Sequence, residues 1–355
     1  MSNPNIAVLG LKHGWKFVDA LYHRADSIGG NLIAICSRTL LDYQPPRIPD
    51  PKIQNVKFYN NYIKLMDELK DELDGIIVAL PNDLHLDATR EAAKRNIAVL
   101  LEKPIANTVE ESKEIAEIVE KSEIKFMVGH HRRFSAKMNI AKKIIEDGRL
   151  GEIAGVNVVW AAKKPDEYFD VKWRVTEGIG GPLLINAIHD IDDLRYTIGE
   201  IDMVQAYINN SVRGNEVEDV AAAIFKFENG AIASYFISDG VTSNMFYETC
   251  AKEDPFFFPS DSNCYFFYGQ KGCLEFPSMK ILSYDSVHGE GWHKPYKCEV
   301  VPVDRVNPID EETKHFCDMI KGKEKSKVTA EDAIKSLRVI EAIRESSQKG
   351  KAIYL

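Results

Sequence analysis

No apolar run in the 355 residues approaches the roughly 18 that a membrane-spanning helix needs, which excludes a helical membrane protein. The start, Met1-Ser2-Asn3-Pro4, lacks the basic flank and cleavage signature of a signal peptide, so the chain is expected to remain cytoplasmic. Cysteine is sparse. The six, at 36, 250, 264, 273, 298 and 317, include no C-x-x-C pair and no Cys/His cluster at zinc spacing, so they are read as reduced thiols. No metal site is expected, and His288 and His293 have no acid or cysteine cluster beside them. Basic charge is in deficit: 45 Lys+Arg against 54 Asp+Glu give a net charge of −9, the opposite of the footprint that a phosphate backbone attracts. Nucleic acid is therefore not an expected partner. What remains, 45% hydrophobic and 28% charged, is an ordinary soluble globular composition, and the length suits two domains at roughly 150 residues each.

The first 130 residues alternate short apolar runs with helical stretches, a pattern that demands a parallel sheet with crossover helices. Expected strands are 5–10, 32–36, 75–80, 97–102 and 125–129, each nearly all apolar, as strands covered on both faces must be. Expected helices are 61–72, 85–95 and 109–121, the last opening on a Thr108/Glu111 capping box. Four prolines make 41–55 an extended loop. After about residue 150 longer alternating strands appear at 152–160, 219–227 and 231–238, with Glu228-Asn229-Gly230 as a hairpin turn. Further strands near 265–268, 273–276 and 281–284 and helices near 308–320 and 330–348 complete the chain. The expected fold is α/β: a doubly wound parallel Rossmann sheet over 1–129, then an α/β domain with a large, mostly antiparallel open sheet over 130–355.

The first strand runs into Gly10-Leu11-Lys12-His13-Gly14-Trp15. A dinucleotide fingerprint would read G-x-G-x-x-G here, so Lys12 and Trp15 hold its second and third glycine positions. Glycine serves there because the backbone must approach a pyrophosphate at a helix N-terminus; Lys12 offers a cation instead of close approach. The second strand ends in Cys36-Ser37-Arg38 with no acid to accept from a ribose 2′-hydroxyl. A hydroxyl and a guanidinium suit a 2′-phosphate, which favours NADP over NAD.

The run Ala79-Leu80-Pro81-Asn82-Asp83-Leu84-His85, and then Leu101-Glu102-Lys103-Pro104, resembles the Gfo/Idh/MocA family of nicotinamide-dependent oxidoreductases. The likeness continues through Gly129-His130-His131-Arg132-Arg133-Phe134, Gly148-Arg149-Leu150-Gly151-Glu152, Trp173-Arg174, and Gly180-Gly181-Pro182 with the helix bearing His189. The resemblance implies a Rossmann domain holding NADP or NAD and an open sheet that forms an oligomer interface in a dimer or tetramer. It also implies oxidation or reduction of sugars, polyols and related alcohols. Its active-site lysine corresponds to Lys103 and its active-site histidine to His189. Cofactor-wall positions correspond to Gly10, Lys12, Gly14, Trp15, Ser37, Arg38, Leu80, Pro81, Asn82, His85, Glu102, Lys103 and Trp173.

Those positions also make chemical sense from the residues. Lys103 leaves a parallel strand at its carboxyl end, where open α/β sheets place their ligands, and Pro104 biases it away from helix. The helix 182–198 carries Leu184, Ile188 and Ile191 on one stripe. Asn186, His189 and Asp193 follow i, i+3, i+7 spacing on another. Asn186 and Asp193 are therefore expected at the substrate, and Trp173 and Arg174, from the resemblance, at the nicotinamide end or the substrate pocket. Many family members carry an Asp four residues before the histidine; here that position is Ile185. Hydride transfer at a carbinol carbon is expected, with His189 as general base and Lys103 stabilising the developing alkoxide. Two other readings of the same fold are a catalytically silent cofactor-sensing regulator and a nicotinamide-dependent glycosidase. Arg132 and Arg133 are read as solvated helix-start residues or as contacts to an anion, and the aromatic runs 255–259 and 265–268 as core or oligomer packing, with the floor of a sugar-binding cleft as the other reading. The substrate is expected to be set by the loops 161–171 and 238–262.

Overall fold

The computed structural model describes residues 2–38, 56–285 and 287–355; the proline-rich loop expected at 41–55 lies outside them. The chain forms two compact units, Met1–His131 with Pro308–Lys335, and Arg132–Asn307 with Ser336–Leu355.

In the first unit β1 (Asn5–Leu9), β2 (Asn31–Cys36), β3 (Lys57–Tyr59), β4 (Gly75–Val78), β5 (Ala98–Glu102) and β6 (Phe126–Gly129) form one sheet in the order β3-β2-β1-β4-β5-β6. Every pairing is parallel, and this is the doubly wound order, in which the chain's progression across the sheet reverses between β1 and β4. The apolar runs explain it: β1, β4, β5 and β6 are buried at nearly every residue, because helices cover both faces. The unanticipated β3 is a three-residue edge strand with an exposed start, too short and polar to carry a strand signal. Helices Tyr62–Glu68, His85–Ala93 and Val109–Ser122 make the crossovers. The Thr108 hydroxyl accepts from the Glu111 amide at 3.2 Å, as the capping motif requires.

The segment Pro308–Lys335, grouped with the second domain on sequence, belongs to the first unit. Its helix Pro308–Ile320 packs on the sheet so closely that a Cβ at Gly75 would lie 2.8 Å from Ile320 and one at Gly30 2.5 Å from Cys317 Sγ. Arg24 Nη2 bonds Asp310 at 2.9 Å.

The second unit is built on β7 (Ile153–Lys163), β8 (Ile201–Asn209), β9 (Val220–Phe227), β10 (Ile232–Ser238), β11 (Gly240–Met245), β12 (Tyr265–Gly269), β13 (Gly272–Phe276), β14 (Lys280–Tyr284), β15 (Tyr296–Val300) and β16 (Ile353–Tyr354). The sheet order is β15-β14-β13-β12-β7-β10-β9-β8-β16, with β11 beside β7; β7 and β10 are parallel and the other pairs antiparallel. Alternation in β9 and β10 buries Phe225, Ala233 and Tyr235 on one face and leaves Ile224, Ile232 and Phe236 exposed on the other. The aromatic run 255–259 is not core: Phe256 and Phe258 are 75% and 89% exposed.

Candidate functional site

Within the first unit the expected cofactor residues gather at the carboxyl ends of β1, β2, β4 and β5. Gly10 follows β1 with φ +86°, and a Cβ there would lie 2.2 Å from the Ala79 carbonyl oxygen. A Cβ at Gly14 would lie 2.0 Å from the Gly10 carbonyl. Both glycines are sterically demanded, whereas Lys12 and Trp15 occupy positions with room for a side chain. The helix Trp15–His23 begins at Gly14 with no side-chain cap, so its positive end faces the loop. Ser37 and Arg38 follow β2, Ser37 donating its amide to Tyr59 O and Arg38 standing exposed. Bare glycine backbone, a helix start, Lys12, and Ser37 with Arg38 directly after β2 fit a dinucleotide bearing phosphate groups.

Two loops are tied together behind this edge. His85 is fully buried; its Nδ1 lies 3.1 Å from Pro104 O and 3.3 Å from Ile105 O, and its Nε2 lies 3.1 Å from Leu80 O. Burial holds its pKa below the ordinary value against the pull of these carbonyls. His85 is thus a buried latch between the two loops with no surface of its own to offer, a correction to the sequence reading that placed it on a cofactor wall. Asn82 Nδ2 reaches Asn107 Oδ1 at 3.2 Å across the same loops, and Leu80 and Pro81 lie at the accessible rim. Lys103 is half-buried directly after β5, and its amide donates to Glu102 Oε2 at 3.2 Å.

His13, which the sequence reading passed over, places Nε2 3.3 Å from Glu102 Oε1. Burial pushes the Glu102 carboxyl up, but His13 and Lys103 together outweigh it and hold the group below its usual range. No signal in the sequence joins a turn histidine to a carboxylate 89 positions on.

Within the second unit the double glycine seats the histidine helix. A Cβ at Gly180 would lie 2.3 Å from Arg174 O, and one at Gly181, whose φ is +87°, 2.4 Å from Glu218 Oε1. Glu218 in turn accepts the Leu183 amide at 3.0 Å. Leu183–Ala187 forms a π-helical turn before the α-helix Ile188–Thr197. The wider turn shifts the spacing of Asn186 against the α-helix that carries His189 and Asp193, and both of these are buried rather than displayed on a polar stripe. His189 is 5% exposed. Asn186 Oδ1 accepts from Lys164 Nζ at 2.8 Å.

Asp193 lies in a buried charge network, not at an open surface. Arg132 Nη1 contacts Asp190 Oδ1 at 2.7 Å, Asp193 Oδ2 at 3.0 Å and Tyr265 Oη at 3.2 Å, while its Nη2 reaches Glu248 Oε1 at 2.6 Å. Burial, reinforced by Asp190 and Asp192 and resisted by Arg132, pushes the Asp193 carboxyl up to about 8. Arg133 makes paired bonds to Asp192 at 2.7 and 2.8 Å. Both arginines are therefore buried struts, 1% and 6% exposed, and not the solvated or anion-binding residues expected.

A second group surrounds Lys164, just beyond β7. Its ammonium lies 3.2 Å from Asp239 Oδ2 and over the rings of Tyr168 and Trp160 at 4.6 and 5.5 Å. Arg174 stacks on Tyr168 at 3.9 Å and donates from Nη1 to Tyr168 O at 2.8 Å. Trp173 is 37% exposed, beside Arg174. Burial pulls the Lys164 pKa down, Asp239 resists, and Arg174 adds to the lowering.

A family profile described as the oxidoreductase family's NAD-binding Rossmann fold matches residues 4–130, and that of the same family's C-terminal alpha/beta domain matches 142–355. The chain belongs to the Gfo/Idh/MocA oxidoreductase family. It is 31% identical over 264 residues to levoglucosan dehydrogenase from Pseudarthrobacter phenanthrenivorans, covering 66% of this chain and 67% of that enzyme. With 1,5-anhydro-D-fructose reductase from Ensifer adhaerens it shares 28% over 166 residues, 46% of this chain and only 50% of that enzyme. The crystal structure of the WlbA dehydrogenase from Bordetella pertussis, in complex with NADH and UDP-GlcNAcA, superposes with TM-score 0.76 at 20% identity over 99% of both chains. Membership of a family of dehydrogenases and reductases makes this chain an NAD(P)-dependent oxidoreductase. Among the described residues no helix is long and apolar enough to cross a membrane.

Proposed function

We propose that the protein interconverts a hydroxyl and a carbonyl carbon on a small sugar or polyol, using NADP(H) in preference to NAD(H). The observation that carries this reading is Lys103, half-buried at the carboxyl edge of the parallel sheet on backbone that His85 clamps. Gly10, Lys12, Gly14 and Trp15 would hold the phosphates, Ser37 and Arg38 the 2′-phosphate, and Leu80, Pro81, Asn82, Glu102 and Trp173 the remaining wall. A bound nicotinamide supplies the two-electron oxidant or reductant. Lys103 donates a hydrogen bond to the reacting oxygen and stabilises negative charge as it develops. His189 accepts the hydroxyl proton in oxidation and returns it in reduction. Ile185 supplies no carboxylate and Asn186 is engaged by Lys164, so His189 works without an acid four residues before it. Arg174 and Asn186 remain substrate contacts in this scheme; Asp193 does not. The names of the relatives, a levoglucosan dehydrogenase and an anhydrofructose reductase, support the sugar class.

The open sheet face supports a homo-oligomer, a dimer or tetramer: Tyr207, Ile224, Ile232, Phe236 and Tyr268 stand exposed together on it, the kind of apolar face that association covers. All six cysteines are unpaired, which supports the cytoplasm as its location.

Nicotinamide absorbance, followed with NAD and NADP side by side across sugars and polyols, tests the activity. Lys103→Met is expected to abolish turnover while NADPH binding, read by fluorescence titration, persists. Full activity in that variant would refute the assignment.

A further inference from the structure

Lys164, Arg174 and Arg213 gather near the end of β7. Lys164 is paired with Asp239 at 3.2 Å, and Arg213 with Asp166 at 3.2 Å and Asp239 at 3.8 Å. Arg174 differs. Among the described residues no carboxylate lies within ion-pair distance of it. Its guanidinium rests on the Tyr168 ring and makes one bond, to a backbone carbonyl, while its Nε is buried with no acceptor. A guanidinium that is partly desolvated, stacked on an aromatic face and short of acceptors is arranged to receive a carboxylate through its planar fork.

The surroundings decide what kind of molecule would bring that carboxylate. Lys164 and Arg174 share the Tyr168 ring, and Lys164 also bonds Asn186, three residues before His189. Trp160 lies beside Lys164, so aromatic faces and hydrogen-bonding groups sit together, a lining suited to a C–H-rich, hydroxylated ring. Holding two cations near one another costs energy in a part-buried place, and Asp239 offsets only the lysine.

We propose that Arg174, supported by Lys164 on Tyr168, binds a carboxylate on the substrate, so that the preferred substrate is an acidic sugar, a uronate or aldonate, rather than its neutral counterpart. This rests on the oxidoreductase reading above. A single negative charge matches the single unpaired guanidinium, whereas a phosphate monoester would bring close to two.

The test compares glucuronate with glucose, galacturonate with galactose, and glucose 6-phosphate as a different anion, in turnover and in calorimetric binding to protein saturated with cofactor. The uronates are expected to exceed the aldoses about ten- to hundredfold in kcat/KM, the effect of one charge-assisted hydrogen bond. Arg174→Gln is expected to collapse that ratio toward unity, mainly through KM, with Arg174→Lys retaining part of it and both variants melting like the parent. Equal use of acid and neutral sugars, or a stronger response to the phosphate, overturns the proposal while leaving the oxidoreductase reading intact. Should no sugar be turned over, that reading fails, and calorimetry still decides this one: uronate binding that Arg174→Gln abolishes supports it, and no uronate binding overturns it.

Discussion

Arg132 Nη1 lies 2.7 Å from Asp190 Oδ1 with both side chains 1% exposed or less, and the same guanidinium carries Asp193 and Glu248. The Tyr235 hydroxyl completes the shell of Asp190 at 2.8 Å. Asp190 and Asp193 follow His189 on its helix, so the network fixes that helix from its buried side.

Removing the cation should show how much depends on it. Arg132→Met takes the shared donor from Asp190, Asp193 and Glu248 in the interior and is expected to cost about 3–5 kcal/mol. Urea unfolding followed by circular dichroism measures this. Adding Asp190→Asn to the same variant should recover part of the loss, because the carboxylate then goes with its partner.

The same cluster predicts a pH dependence. In the folded chain the Asp193 carboxyl keeps its proton up to about 8, whereas an unfolded aspartate releases it at about 3.9. Between those values the folded state binds more protons, so the stability this group contributes is complete below the lower value and is lost as pH rises toward the upper one. Unfolding midpoints for the parent protein minus those for Asp193→Asn should therefore fall across that window and level off above it. A flat difference would remove Asp193 as the titrating group.

His85 links the two loops that carry Leu80 and Lys103. His85→Leu keeps the bulk but removes the ring N–H that serves the carbonyls of these two loops, an expected loss of about 1–3 kcal/mol. Because Lys103 precedes Pro104 directly, kcat should fall more than the affinity for NADPH does. Steady-state kinetics beside a cofactor titration separates the two.

These residues also mark how far the sequence is legible. Continuous apolar runs declare β1, β4, β5 and β6, because strands buried on both faces admit little else, and Glu102-Lys103-Pro104 announces itself by order and position. Lys164 does not: a lysine after Lys163 at a strand end reads like any solvated residue until Tyr168 and Asp239 close over it. Arg132 and Asp193 mislead for a related reason, since helical spacing reports which residues share a face but not whether a charge of opposite sign arrives from elsewhere in the chain. The π-helical turn at Leu183–Ala187 shifts even that spacing, and propensity gives no warning of it.

The return of Pro308–Lys335 to the first unit bears on any attempt at modular exchange. A chimera that borrowed only Met1–His131 would leave the face over Gly30 and Gly75 without Cys317, Phe316 and Ile320, and Arg24 without Asp310. Such a graft would carry a wet, sticky wound on its sheet. Cofactor preference could be transplanted cleanly only by moving the late helix along with the early strands.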